Sequence, residues 1–141
     1  MEDISLHILD IAENSLRAGA HNIIIRVMEQ EDTLTLEIED DGIGMNGELI
    51  RNATNPFFTT KDGKKFGLGL ALLTQAAHET GGEVKIENCK TKGLKISASF
   101  NMDNIDSKPL GDLNKTMRVL KATHPEVNFM FEHIIKNGET T

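Results

Sequence analysis

The segment Thr33–Asp40 reads TLTLEIED, and its clean alternation of apolar and polar residues predicts a strand with Leu34, Leu36, Ile38 and Asp40 on one face. The apolar row therefore ends in an acid. An ionised carboxylate on a buried face costs several kcal/mol unless a donor meets it. Gly42 and Gly44 follow at once and let the backbone approach a flat ligand closely. Asp40 thus has two readings: it accepts from a ligand donor such as an exocyclic amino group, or it turns outward or caps a turn.

The pattern upstream predicts a helix from about Asp3 to Ala18, with Leu9, Ala12 and Leu16 as its stripe beside Ile8 and Ile11. Asp10, Asn14 and Arg17 then project from another face at i, i+4 and i+7. A strand over Asn22–Met28 and a polar turn over Glu29–Asp32 lead into the alternating segment. From about Gly42 to Phe66 the chain is irregular and glycine-rich, too long for filler in a compact domain and suited to a functional lid. Leu68–Thr80 reads as a helix closed by Gly81 and Gly82. Strands follow at Glu83–Glu87 and Leu94–Phe100, with a hairpin loop over Asn88–Gly93. Past a polar linker, Met102–Pro109, a second helix over Asp112–Thr123 has Leu113, Met117 and Leu120 as its stripe. Val127–Phe131 is a short strand that extends the sheet or meets a partner.

Several polar residues in this order carry chemistry. Asn14 offers an amide oxygen suited to Mg²⁺, Asp10 could orient or deprotonate a water, and Arg17 could pair with phosphate. Each has an ordinary alternative on a solvated helix face; their convergence on one face favours a site. Gly67 and Gly69 begin a helix whose unpaired N–H groups and dipole favour bound phosphate. Lys61, with Lys64 and Lys65 nearby, supplies positive charge just before that terminus, on a loop that Phe57 and Phe58 can anchor. GIGMNG over Gly42–Gly47 also fits the G-x-G-x-x-G fingerprint of dinucleotide-binding folds. However, Asn55 and Pro56 interrupt the helix that fingerprint requires, and no acid closes a second strand about twenty residues on.

The 141 residues suffice for one domain with a real core. A net charge of −7 disfavours nucleic acid and anionic membranes as partners. Cys89 is the single cysteine, so no intrachain disulfide forms; no signal segment or long apolar run is evident, and a cytoplasmic location is expected. Cys89 reads as a strand-end residue rather than a nucleophile. His7, His78, His124 and His133 read as surface or half-buried residues without metal-ligand spacing.

Four ordered motifs resemble the GHKL superfamily, the ATP-binding domains of gyrase, ninety-kilodalton heat-shock chaperones, histidine kinases and mismatch-repair ATPases. ENSLRAGA (Glu13–Ala20) is similar to its N box, DDGIG (Asp40–Gly44) to its first glycine box, NPFFTTK (Asn55–Lys61) to its F box, and GLGLAL (Gly67–Leu72) to its second glycine box. The resemblance covers roughly residues 5 to 100. It implies that Asn14 binds Mg²⁺, that Asp40 accepts from the adenine amino group, that Gly42 and Gly44 form the adenine-side turn, and that Gly67 and Gly69 meet the phosphates. PFFTTK followed closely by GLGL, together with basic Arg17, resembles the histidine kinases. Asp10 departs from their usual asparagine and from the glutamate of hydrolysing relatives, and Leu94 stands where the family commonly has threonine. The helix carrying the N box begins near Met1, and His78–Glu79 is followed by no proline of the phospho-acceptor pattern, so autophosphorylation within these residues is not expected.

The expected architecture is α+β: a two-layer sandwich, a mixed sheet with helices on one face. Residues 1–102 would form the histidine-kinase-like ATP-binding domain and residues 103–141 a helix–strand extension of it. The expected cofactors are ATP and Mg²⁺. In the leading reading a kinase module phosphorylates a separate protein, with Lys61 and Arg17 steadying phosphate. The alternatives are a slow ATPase or anti-sigma-like serine kinase using Asp10 as base, and a non-catalytic ATP-gated binding module. The sequence leaves the oligomeric state open.

Overall fold

A computed structural model describes residues 4–44, 68–89, 92–101 and 112–136. Within them the chain runs α1 (Ile4–Arg17), β1 (Asn22–Gln30), β2 (Thr33–Asp40), α2 (Leu68–Glu79), β3 (Val84–Asn88), β4 (Leu94–Asn101), α3 (Leu113–Thr123) and β5 (Asn128–Lys136). The five strands form one sheet in the order β3-β4-β2-β1-β5. β1 pairs antiparallel with β2, β2 with β4 and β4 with β3, whereas β5 lies parallel to β1. The architecture is the expected α+β arrangement with a mixed sheet.

The alternation in β2 is matched on both sides, which fixes the register. Ile38 stands opposite Ile25 of β1 and Ile96 of β4, so the inward residues of three strands line up. Ile23, Ile25 and Val27, Leu34, Leu36 and Ile38, and Leu94, Ile96, Ala98 and Phe100 are all buried on this face. Helices cover it with Ile4, Ile8, Ile11 and Ala12 from α1, Leu70, Leu73, Ala76 and Ala77 from α2, and Leu113, Met117 and Leu120 from α3. The opposite face is partly solvated and carries charge. Arg26 lies 3.0 Å from Glu132, 3.6 Å from Glu37 and 3.8 Å from Glu39, pairs that contribute little individually at such exposure.

Four expectations are corrected. The buried face of α1 comprises Ile4, Ser5, His7, Ile8, Ile11, Ala12 and Ser15: Ile8, Ile11 and Ala12 lie inside as expected, whereas Leu9 and Leu16 only flank the core. His7 is accordingly interior, at 2% exposure, because it occupies a core-facing position between Ile4 and Ile11. The turn after β1 comprises Glu31 and Asp32 alone, since Glu29 and Gln30 continue the ladder opposite Leu34 and Thr33. β5 runs on past Phe131 to Lys136, because Glu132 pairs with Arg26 and His133 with Glu29 at 2.6 Å, so polar residues find partners on β1. The stripe of α3 is as expected, and Asp112 caps its N-terminus by accepting from the backbone N–H of Lys115 at 3.0 Å.

Candidate functional site

The end of β2 meets the end of α1 and the loop between β3 and β4. Asp40 is 6% exposed. Its carboxylate accepts from the Ser15 hydroxyl at 2.6 Å and from the Gly42 N–H at 2.9 Å. It therefore caps the turn, as the second reading has it, while remaining buried rather than turning outward. A carboxylate has about four lone-pair sites, so acceptor capacity beyond these two bonds is available to a ligand donor. Ser15 was not among the expected site residues. Its signal was present: spaced seven residues from Ile8 and four from Ile11, it continues the apolar stripe with a hydroxyl.

Asp41 serves the scaffold. It accepts from the His21 N–H at 2.8 Å, the Asn22 N–H at 2.9 Å and the Asn22 side-chain amide at 2.7 Å. The Asn22 side chain chiefly, with the backbone N–H groups of Asn22 and His21, holds this carboxyl down to about 2 from an ordinary 3.8. The turn is further stitched to α1 by the Ile43 N–H donating to the Ala18 carbonyl at 3.1 Å. A Cβ on Gly42 would come within 2.9 Å of that same carbonyl oxygen, so the packing here leaves no room for a side chain.

Gly44 adopts φ +75°, and a Cβ there would lie 2.6 Å from the Oδ1 of Asn88, the last residue of β3. Gly93, which lies outside the four motifs, is held more tightly. At φ +105° it brings its loop so close to β2 that a Cβ would sit 1.8 Å from the Asp40 carbonyl oxygen. Burial, and then the Glu39 and Asp40 carboxylates, push the neighbouring Cys89 thiol up and keep it protonated, which fits a structural cysteine.

On α1, Asp10 and Asn14 are half-buried and one turn apart, and exposed Arg17 follows. The Arg17 guanidinium donates to the Asn14 amide oxygen at 3.2 Å. α1 packs against α2, in which Gly69 is the second residue. Lys61 and Gly67 lie outside the described residues. The structure thus gathers Asn14, Ser15, Arg17, Asp40, Gly42 and Gly44 around the junction of α1 and β2. A cavity of about 440 Å³ lies at the opposite end of β2, beside Glu31, Asp32 and Ser99, where two carboxylates would repel a phosphate.

Residues 2–104 match the family model described as histidine kinase-, DNA gyrase B- and HSP90-like ATPase. Similar proteins include a sensor kinase CckA of Brucella abortus, 34% identical across 75% of this chain, and a sensor protein CitS of Halalkalibacterium halodurans, 35% identical across 55%. A putative NtrY-like sensor histidine kinase of Rickettsia bellii is 29% identical across 77%. The chain spans only 12%, 15% and 18% of these three relatives' own lengths. Among solved structures, the ADP-complexed ATPase domain of Aquifex aeolicus MutL superposes with a TM-score of 0.67 at 13% identity, covering 94% of this chain and 60% of its own. The mycobacterial sensor histidine kinase MprB gives 0.52 at 20% identity, covering 67% of this chain and 68% of its own. No described helix is long and apolar enough to cross a membrane.

Proposed function

The chain belongs to the histidine kinase-, DNA gyrase B- and HSP90-like ATPase family, and we propose that it binds ATP with Mg²⁺ and passes phosphate to a separate protein. The observation that carries this reading is the buried carboxylate of Asp40, set by Ser15 and Gly42 at the mouth of a glycine turn. Such a group selects a ligand that donates a hydrogen bond there, as the adenine amino group does and the guanine carbonyl does not. Asn14 has the oxygen ligand that Mg²⁺ accepts. Among the described residues no cluster of three or more His, Cys, Asp or Glu could hold a metal, so the ion would draw its remaining ligands from phosphate and water.

Arg17 has a double part in this reading. Its guanidinium holds the Asn14 oxygen at 3.2 Å and would have to turn away when the metal arrives, toward the phosphates that come with it. Gly67, Gly69 and Lys61 would receive the outer phosphates. ATP supplies the phosphoryl group; the protein's share is to bind it, orient it and neutralise its charge. The similarity to sensor kinases supports a protein acceptor. A second reading, slow hydrolysis with Asp10 as base, draws on the position of Asp10 one turn before Asn14 on α1.

Calorimetric titration with ATP, ADP and GTP, with and without Mg²⁺, tests the site. Adenine-selective, Mg²⁺-enhanced binding is expected. Equal affinity for ATP and GTP would remove Asp40 as a base reader. Incubation with γ-labelled ATP and a co-purifying partner then separates transfer from hydrolysis: label on the partner supports the kinase, whereas release of phosphate that falls in Asp10→Ala supports the base.

A further inference from the structure

The C-terminal segment touches the scaffold of the candidate site. β5 begins at Asn128, whose N–H donates to the His21 carbonyl at 2.9 Å and whose side-chain amide donates to the Asn22 Oδ1 at 3.1 Å. Asn22 in turn gives its side-chain N–H to Asp41 at 2.7 Å, and its backbone N–H to the same carboxylate at 2.9 Å. Asp41 is the chain neighbour of Asp40. A line of hydrogen bonds therefore runs from the first residue of β5, through one amide, to the turn that carries the buried acid. Asn suits the middle of that line because it donates at one end and accepts at the other. The same segment reaches α1 as well: His124 lies 3.7 Å from Glu13, the residue beside Asn14.

We propose that Asn22 is a positioning residue that couples the α3–β5 segment to nucleotide binding, so that a ligand at Asp40 tightens β5 and whatever engages β5 changes affinity for the ligand. The coupling is reciprocal because both events act on the same bonds, and in free-energy terms each must affect the other equally. The inference rests on the nucleotide reading of the Asp40 site. It adds to that reading a second place on the surface where the site's state is felt, two strands away from Asp40 across β1.

Hydrogen exchange over residues 128–136, measured with and without saturating Mg-ADP, tests it together with Mg-ADP affinity by calorimetry. In the wild type, Mg-ADP should slow exchange in β5. Asn22→Ala should weaken Mg-ADP binding by about fivefold or more and remove the slowing. Asn128→Ala cuts only an exposed side-chain link, so it should fold normally and lose most of the β5 response. The double variant Asn22→Asp with Asp41→Asn keeps an amide against a carboxylate and an acceptor toward Asn128, and should restore both readouts. A purely structural role would lower stability without tying β5 protection to the nucleotide. Wild-type Mg-ADP affinity and wild-type β5 protection in both single variants would overturn the coupling alone; absence of Mg-ADP binding in the wild type would overturn the site reading with it.

Discussion

At the scale of single residues, two adjacent acids have opposite surroundings and therefore opposite sensitivities. Asp40 is interior, so loss of a donor is felt: Ser15→Ala should destabilise the fold by about 1.5–3 kcal/mol, the worth of a hydrogen bond to a charged group, measured by urea denaturation. A change below a few tenths would show that water replaces the hydroxyl. Asp41 is half-buried and titrates low. Its folded value is depressed, so its contribution is fully present above about 3.8 and disappears as pH falls toward about 2. Asp41→Asn should flatten the stability profile across that window and leave the profile above pH 5 unchanged in shape, as followed by thermal unfolding at stepped pH.

Elements respond according to what they bury. β2 is the central strand, and Leu36 lies fully inside between β1 and β4 opposite Val27 and Ala98. Leu36→Ala should cost about 2–5 kcal/mol, because a close-packed sheet collapses only partly around the void. α3 depends more on its cap. With Asp112 accepting from Lys115, Asp112→Ala should cost about 0.5–2 kcal/mol, and its effect should appear as faster hydrogen exchange in Leu113–Thr116 than in β2. Equal acceleration in both elements would mean that α3 opens only with the whole sheet.

For the whole molecule, the candidate site sits where α1, β2 and the β3–β4 loop converge, so a ligand bound there would hold three segments at once. Mg-ADP at one hundred times its dissociation constant should stabilise the native state by about 2.7 kcal/mol, seen as a rise in unfolding midpoint. Asp40→Asn should remove most of that rise, because an amide offers a donor where the ligand donates. A rise of unchanged size in this variant would move the nucleotide away from β2.

Local pattern alone determined much of this protein. Alternation over Thr33–Asp40 set β2 and put Asp40 on the face of its apolar row, the stripe Leu113, Met117 and Leu120 set α3, and the order of four motifs pointed to the family, because periodicity and spacing are properties of neighbouring residues. Only tertiary structure decided which face of α1 is interior, since Ile8 and Ile11 fit either of two overlapping stripes until β2 and α2 arrive to cover one. That choice made Ser15 a partner of Asp40 and drew His7 inside. Gly93 lies 53 positions beyond Asp40, Asn22 meets Asp41 and Asn128 from opposite sides, and β5 owes its polar half to partners on β1. Contacts between residues so distant in the chain leave no periodic trace in it, and pairing across the sheet is what brings them together.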